Sequence, residues 1–219
     1  MKKLKLIALT AIVFVAIASM VFVGCQKQQE TFSCNTKIND KVIKNREANQ
    51  NISRYQIATY DMDEQVAIFR SLTNENKLRI FNEKIKYTVD NYNLSIEDKA
   101  HLQFLMNNFV PEFYSDNNVQ GQNFVDEWES KARNQLNWDD LKFVRLVGSL
   151  ATDIEIVAKP NIGGGSGSDP DCNCNKDMYC DYMTSGQQDC DKGKVCKTKG
   201  GCGVLWSKEC KGRCWPKGL

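Results

Sequence analysis

The sequence predicts an all-α helical domain followed by a small disulfide-rich, loop-dominated C-terminal module. Three observations carry that fold class. Apolar residues recur at helical spacing through residues 36–160, a stretch without Cys and with Pro only at Pro111 and Pro160. Eight of the ten Cys crowd between Cys172 and Cys214, a density that marks a cross-linked scaffold. Between the two regions stands Gly163-Gly164-Gly165-Ser166-Gly167-Ser168, a composition that cannot build a core. The division is therefore an export signal over residues 1–24, a tether over 25–35, the helical domain over 36–160, a Gly/Ser linker over 161–170 and the cysteine-rich module over 171–219. Across 219 residues, 29 basic and 27 acidic side chains leave a net charge of +2. That balance argues against a nucleic-acid partner. With His101 as the only His, a His-based triad, a multi-His metal site and an HExxH protease are excluded.

Taken in order, the chain opens with Lys2, Lys3 and Lys5 before an apolar run over residues 6–23, broken only by Thr10 and Ser19. At 18 residues the run sits at the lower edge of what spans a bilayer, so an uncleaved anchor is the alternative to a signal peptide. Phe22-Val23-Gly24-Cys25 resembles the lipobox of bacterial lipoproteins, with Phe22 in place of the usual Leu. The resemblance implies lipidation at Cys25 and a membrane partner through that lipid. Ala16-Ile17-Ala18 is a competing site for ordinary signal peptidase. Cysteine parity bears on the choice. If Cys25 is acylated, Cys34 is left as an odd thiol; if it is not, Cys25 and Cys34 could pair. Residues 26–30 form a polar tether, and Gln26 after the Cys resembles lipoproteins sorted to the outer membrane, facing the periplasm or the surface.

Within the helical domain, residues 40–60 are expected to be helical, with a polar run over 44–51. Met62, Val66 and Phe69 mark a short helix before Leu72. Leu78, Phe81, Ile85, Val89 and Tyr92 mark a longer one, opened by Thr73 as a cap with Glu75 favourable near the positive helix end. Leu102, Leu105, Met106 and Phe109 mark the next, opened by the capping pattern Ser95-Ile96-Glu97-Asp98. Phe124, Trp128 and Ala132 predict a helix after Gly121. Leu141, Val144, Val147 and Ala151 predict the last, with Asn137 as its cap. Leu72–Lys77 is echoed by Leu94–Lys99, 22 residues later, which reads as two helices sharing one cap chemistry. His101 reads as a structural or surface residue, because no nucleophile or carboxylate pattern accompanies it. With no paired-carboxylate, Ser/His or metal motif, no enzyme is expected.

The tail carries Cys172, Cys174, Cys180, Cys190, Cys196, Cys202, Cys210 and Cys214. A segment this short cannot fold on apolar burial alone, so four disulfides are expected. Their pairing is open among about 105 connectivities. No C-x-x-C pair and no His occur in the tail, so zinc is not expected, nor any other metal or cofactor. Nine basic against six acidic residues give the tail a charge of +3. Tyr179, Tyr182, Trp206 and Trp215, with Lys208, Lys211 and Arg213, are candidate surface contacts with an anionic bacterial envelope. The competing reading makes Trp206 the tail's small core. The linker is an exposed site for cleavage, which would release the tail outside the cell, and the two halves are expected to fold separately.

Asp171-Cys172-Asn173-Cys174-Asn175, Tyr179-Cys180, Gly193, Cys196, Gly201-Cys202-Gly203-Val204-Leu205-Trp206, Cys210 and Gly212 carry a family resemblance. The tail resembles fulvocin C, and the chain as a whole resembles the bacteriocin fulvocin C-related proteins. The resemblance implies an exported, lipid-anchored, bacteriocin-like protein whose disulfide-rich module acts without catalysis on a competitor's envelope or a surface target. The reading from another class is a surface adhesion or binding module displayed by a lipoprotein.

Overall fold

The computed structural model describes residues 30–116, 118–152, 171–172, 188–191, 200–209 and 212–216. The chain divides into two compact units, Met1–Thr31 and Phe32–Leu219. The segments expected to be an export signal, most of the tether and the linker, with Cys25, the expected lipidation site, lie outside the described residues.

The second unit is built mainly from helices: α1 (Thr36–Lys44), α2 (Arg46–Asn49), α3 (Arg54–Ala58), α4 (Met62–Ser71), α5 (Asn74–Asn91), α6 (Ile96–Asn108), α7 (Val119–Leu136) and α8 (Asp140–Phe143). A 3-10 turn, Pro111–Tyr114, joins α6 to α7, and a π turn, Val144–Gly148, continues α8. The described parts of the tail are short strands. β1 (Asp171–Cys172), β5 (Gly212–Pro216) and β2 (Gln188–Asp191) form an antiparallel sheet in that spatial order. Its register sets Cys190 opposite Cys214, Asp191 opposite Arg213 and Asp189 opposite Trp215. β3 (Gly201–Cys202) and β4 (Lys208–Glu209) pair around a 3-10 turn, Val204–Trp206.

Polar residues set the helix boundaries. Thr73 Oγ1 accepts from Asn76 N at the start of α5, and Ser95 Oγ accepts from Asp98 N at the start of α6. The echoed sequence is thus shared capping. Residues 40–60 form three pieces, not one helix. α1 stops at Asn45, whose amide donates to the Lys41 carbonyl, and α3 opens on a Ser53–Gln56 capping box. α7 starts at Val119, so Gly121 lies inside it, not before it. Asn118 Oδ1 caps it through Gly121 N, and a side chain at 121 would meet Phe113 Cβ at 2.8 Å. Asn137 ends α7 in a left-handed conformation (φ 53°), a role Asn tolerates well. Asp139 caps α8 instead, accepting from Lys142 N.

The core takes Val66 and Phe69 from α4, Phe81 and Ile85 from α5, Leu102 and Leu105 from α6, Trp128 and Ala132 from α7, and Val144, Leu146 and Val147 from the π turn. Leu141 departs from its expected stripe and is 50% exposed. Phe143, two residues on, lies on the opposite side of α8 and is buried in its place. Residues 149–152 run into the interior beyond the π turn. Two buried cations hold their carbonyls: Arg54 Nη1 donates to Leu150 O and Lys84 Nζ to Ala151 O.

Candidate functional site

The helices build a seat for residues 200–209 of the tail. Val66 and Arg70, four residues apart, share one face of α4. Arg70 is buried, and its guanidinium donates through Nη1 to Phe32 O at 2.9 Å and through Nε to Gly200 O at 3.0 Å. Donors in a fixed fork suit a buried cation that must satisfy carbonyls from two segments far apart in the chain. Gly201 lies directly on this pair. Its φ is +94°, and a Cβ there would stand 2.6 Å from Val66 Cγ1 and 2.7 Å from Arg70 Nε. Only glycine permits that approach.

The chain then turns left-handed at Leu205 (φ 55°) and Trp206 (φ 52°). Such a backbone costs about 1–3 kcal/mol at each non-glycine residue. The gain is burial. Val204, Leu205 and Trp206 are at most 2% exposed and belong to the core of the helical domain. The Trp206 ring meets Phe69 edge-on at 5.2 Å and Phe81 at 5.8 Å. Its Nε1 donates to Gly148 O at 3.0 Å, on the π turn. Tyr114 donates its hydroxyl to Leu205 O at 3.1 Å. Burial raises that phenol well above its ordinary pKa and keeps it a donor. At the edge of the seat Lys208 reaches α7, with Nζ 2.5 Å from Asp126 Oδ1 and 3.7 Å from Glu129 Oε2.

These positions correct two expectations. Trp206 and Lys208 are not free surface contacts: one fills the aromatic core, and the other is mostly covered and paired with α7. The halves do not fold apart either, because residues 204–206 complete the helical domain's core. Tyr179, Tyr182 and Lys211 lie outside the described residues, as do Cys174, Cys180, Cys196 and Cys210. Trp215, Arg213, Cys172, Cys190 and Cys214 fall on strands whose pairing is given above. Cys34 is not the odd thiol, since it and Cys202 are both disulfide-bonded. Arg70, Tyr114 and Asp126 were not among the residues expected at a site, and Gly201 was singled out only within the motif of the resemblance. The available signal was Val204-Leu205-Trp206, three consecutive apolar residues in a charged tail.

His101 serves packing. Its ring stacks on Trp128 at 4.5 Å and 4°, and Trp138 meets it edge-on. His101 Nε2 donates to Trp128 O while Trp128 Nε1 donates to His101 O, both at 3.1 Å. A carbonyl only accepts, so Nε2 carries the proton. Burial lowers the His101 pKa, and nearby Lys131 adds to this against the Trp128 carbonyl and Asp98. Asp98 accepts from Trp138 Nε1 at 2.5 Å and Lys142 Nζ at 2.8 Å. Burial alone would raise its pKa, but hydrogen bonds from Lys142, Trp138 and Ser95 outweigh it and hold the carboxyl below its ordinary value.

No family model matches the chain, and neither a curated protein nor a solved structure matches it.

Proposed function

We propose that the chain is an exported, lipid-anchored, bacteriocin-like protein, without catalytic activity, whose helical domain carries the cysteine-rich tail. Lipidation at Cys25 would tether it to the outer membrane, and the tail would act on a bacterial envelope. The observation that carries this reading is the seating of Trp206. Gly201-Cys202-Gly203-Val204-Leu205-Trp206, the element on which the family resemblance rests most, is the segment that the helices grip. The helical domain is then a holder for the tail and not an independent passenger. Tyr179, Tyr182, Trp215, Lys211 and Arg213 remain the proposed contacts once Trp206 and Lys208 are assigned to the seat.

The test is growth inhibition by the purified full chain. Oxidised protein should inhibit susceptible bacteria, and reduction followed by alkylation should abolish the effect. Oxidised protein that coats cells while they grow normally would overturn the bacteriocin reading and favour the adhesion module. Neither binding nor inhibition would overturn both.

A further inference from the structure

Residues 32–35, ahead of α1, are pinned beside the tail's seat. Phe32 N donates to Asn39 Oδ1 at 2.8 Å, and Asn35 N donates to Ser33 Oγ at 3.1 Å. Phe32 and Ser33 are buried, and the Arg46 guanidinium stands 5.6 Å from the Phe32 ring centroid. Cys34, within this turn, is half-buried and disulfide-bonded. The Arg70 guanidinium donates both to Phe32 O and to Gly200 O. One planar group thus holds the N-terminal segment two residues before Cys34 and the tail two residues before Cys202. Residues 36–160 contain no Cys, so the partner of Cys34 is Cys25 or a cysteine of the tail. Cys34 shares the compact unit Phe32–Leu219 with the whole tail, whereas Cys25 belongs to the unit Met1–Thr31.

We propose that Cys34 is bonded to a cysteine of the tail, as a covalent clasp that keeps the tail on the helical domain after the Gly/Ser linker is cut. The clasp closes a loop containing all of residues 36–160, and a cross-link over a long loop restricts the unfolded chain most. Cleavage of the linker alone then releases nothing; a dithiol reductant is also needed. One thiolate of that dithiol attacks Cys34 Sγ, the half-exposed end, forms a mixed disulfide and expels the tail sulfur as a thiolate. The second thiol of the reductant displaces Cys34. The dithiol ends as a disulfide, and its two protons pass to the two freed thiols. The inference does not rest on the bacteriocin reading.

The experiment uses the oxidised full chain with a sequence-specific protease site inserted between Gly165 and Ser166. After cleavage and blocking of free thiols with N-ethylmaleimide, denaturing electrophoresis without reductant should show one species. Dithiothreitol should raise the amount of separated tail at least tenfold. Cys34→Ser should separate into two fragments without reductant, while both still elute together in native gel filtration because the seat holds them. Mass spectrometry of tryptic peptides from the unreduced wild-type chain needs no variant and should find the Cys34 peptide joined to a tail peptide. The proposal is overturned if the cleaved wild-type chain separates without reductant, or if the Cys34 peptide is joined to that of Cys25. It is overturned equally if the cleaved Cys34→Ser fragments stay linked without reductant, since only Cys25 could then hold them.

Discussion

Trp206 Nε1 donates to the Gly148 carbonyl at 3.0 Å, joining the cysteine-rich tail to the turn that closes the helical domain. The bond spans 58 residues of chain, and the same indole packs on α4 and α5 through Phe69 and Phe81. Removing the ring should therefore unfold helices, not only loosen the tail. Trp206→Ala is expected to cost about 3–5 kcal/mol, the range for emptying a large aromatic site, read as a lower midpoint in far-UV circular dichroism. Trp206→Phe keeps most of the packing and should lose about 1 kcal/mol with the hydrogen bond.

Gly201 gives a second test from the opposite sign of volume. Gly201→Ala places a methyl group against Val66 and Arg70 and forces a left-handed φ on a residue with a Cβ. Destabilisation by about 1–3 kcal/mol is expected in denaturant unfolding. Arg70→Met, which leaves two carbonyls without their donor, should destabilise the same seam.

The Trp–His–Asp cluster predicts an acid limb. His101 is neutral in the fold and has a pKa below its ordinary 6.5. The unfolded chain binds that proton more readily, so stability is whole above about pH 6.5 and falls as the pH drops below it. Asp98 is also depressed from its ordinary 3.8. Its contribution is present above that value and is lost as the pH falls through the lower, folded pKa. His101→Gln should flatten the first part of the limb in a chemical-denaturation series against pH. An unchanged slope would contradict the cluster's part in it.

Thiol accounting gives a further prediction. Cys34 and Cys202 should resist alkylation in the unreduced chain and react after reduction. Parity then fixes the remainder of the ten cysteines. If Cys25 is lipidated, nine are left and at least one tail Cys must label. If all ten are closed, Cys25 is in a disulfide and the lipoprotein reading fails. Mass spectrometry of the alkylated protein separates the two cases.

Much of the helical domain was legible because its signals are local. Thr73 and Ser95 announce their helices by side-chain chemistry within three residues, and Phe81, Ile85, Leu102 and Leu105 follow the helical period into the core. Asn137 and Asp139 show the limit of that method. Both are cap residues, and only the turn's handedness tells which one ends α7 and which begins α8. The seat was not legible, because no periodicity links Val204-Leu205-Trp206 to α4 and α5 across more than a hundred residues. Arg70 reads as a surface cation until Phe32 and Gly200 are brought to it. The Gly/Ser run pointed to two separate units, but linker composition says nothing about what the chain beyond it packs against.

Residues 204–206 belong to the helical domain's own core, and urea unfolding of the oxidised full chain tests this, followed at once by far-UV circular dichroism and by the Trp206 indole N–H resonance. The two probes should lose signal at one midpoint, with the indole proton protected from exchange until the helices unfold. An indole that exchanges freely in the folded chain, or that vanishes at a lower urea concentration than the helices, would contradict the account.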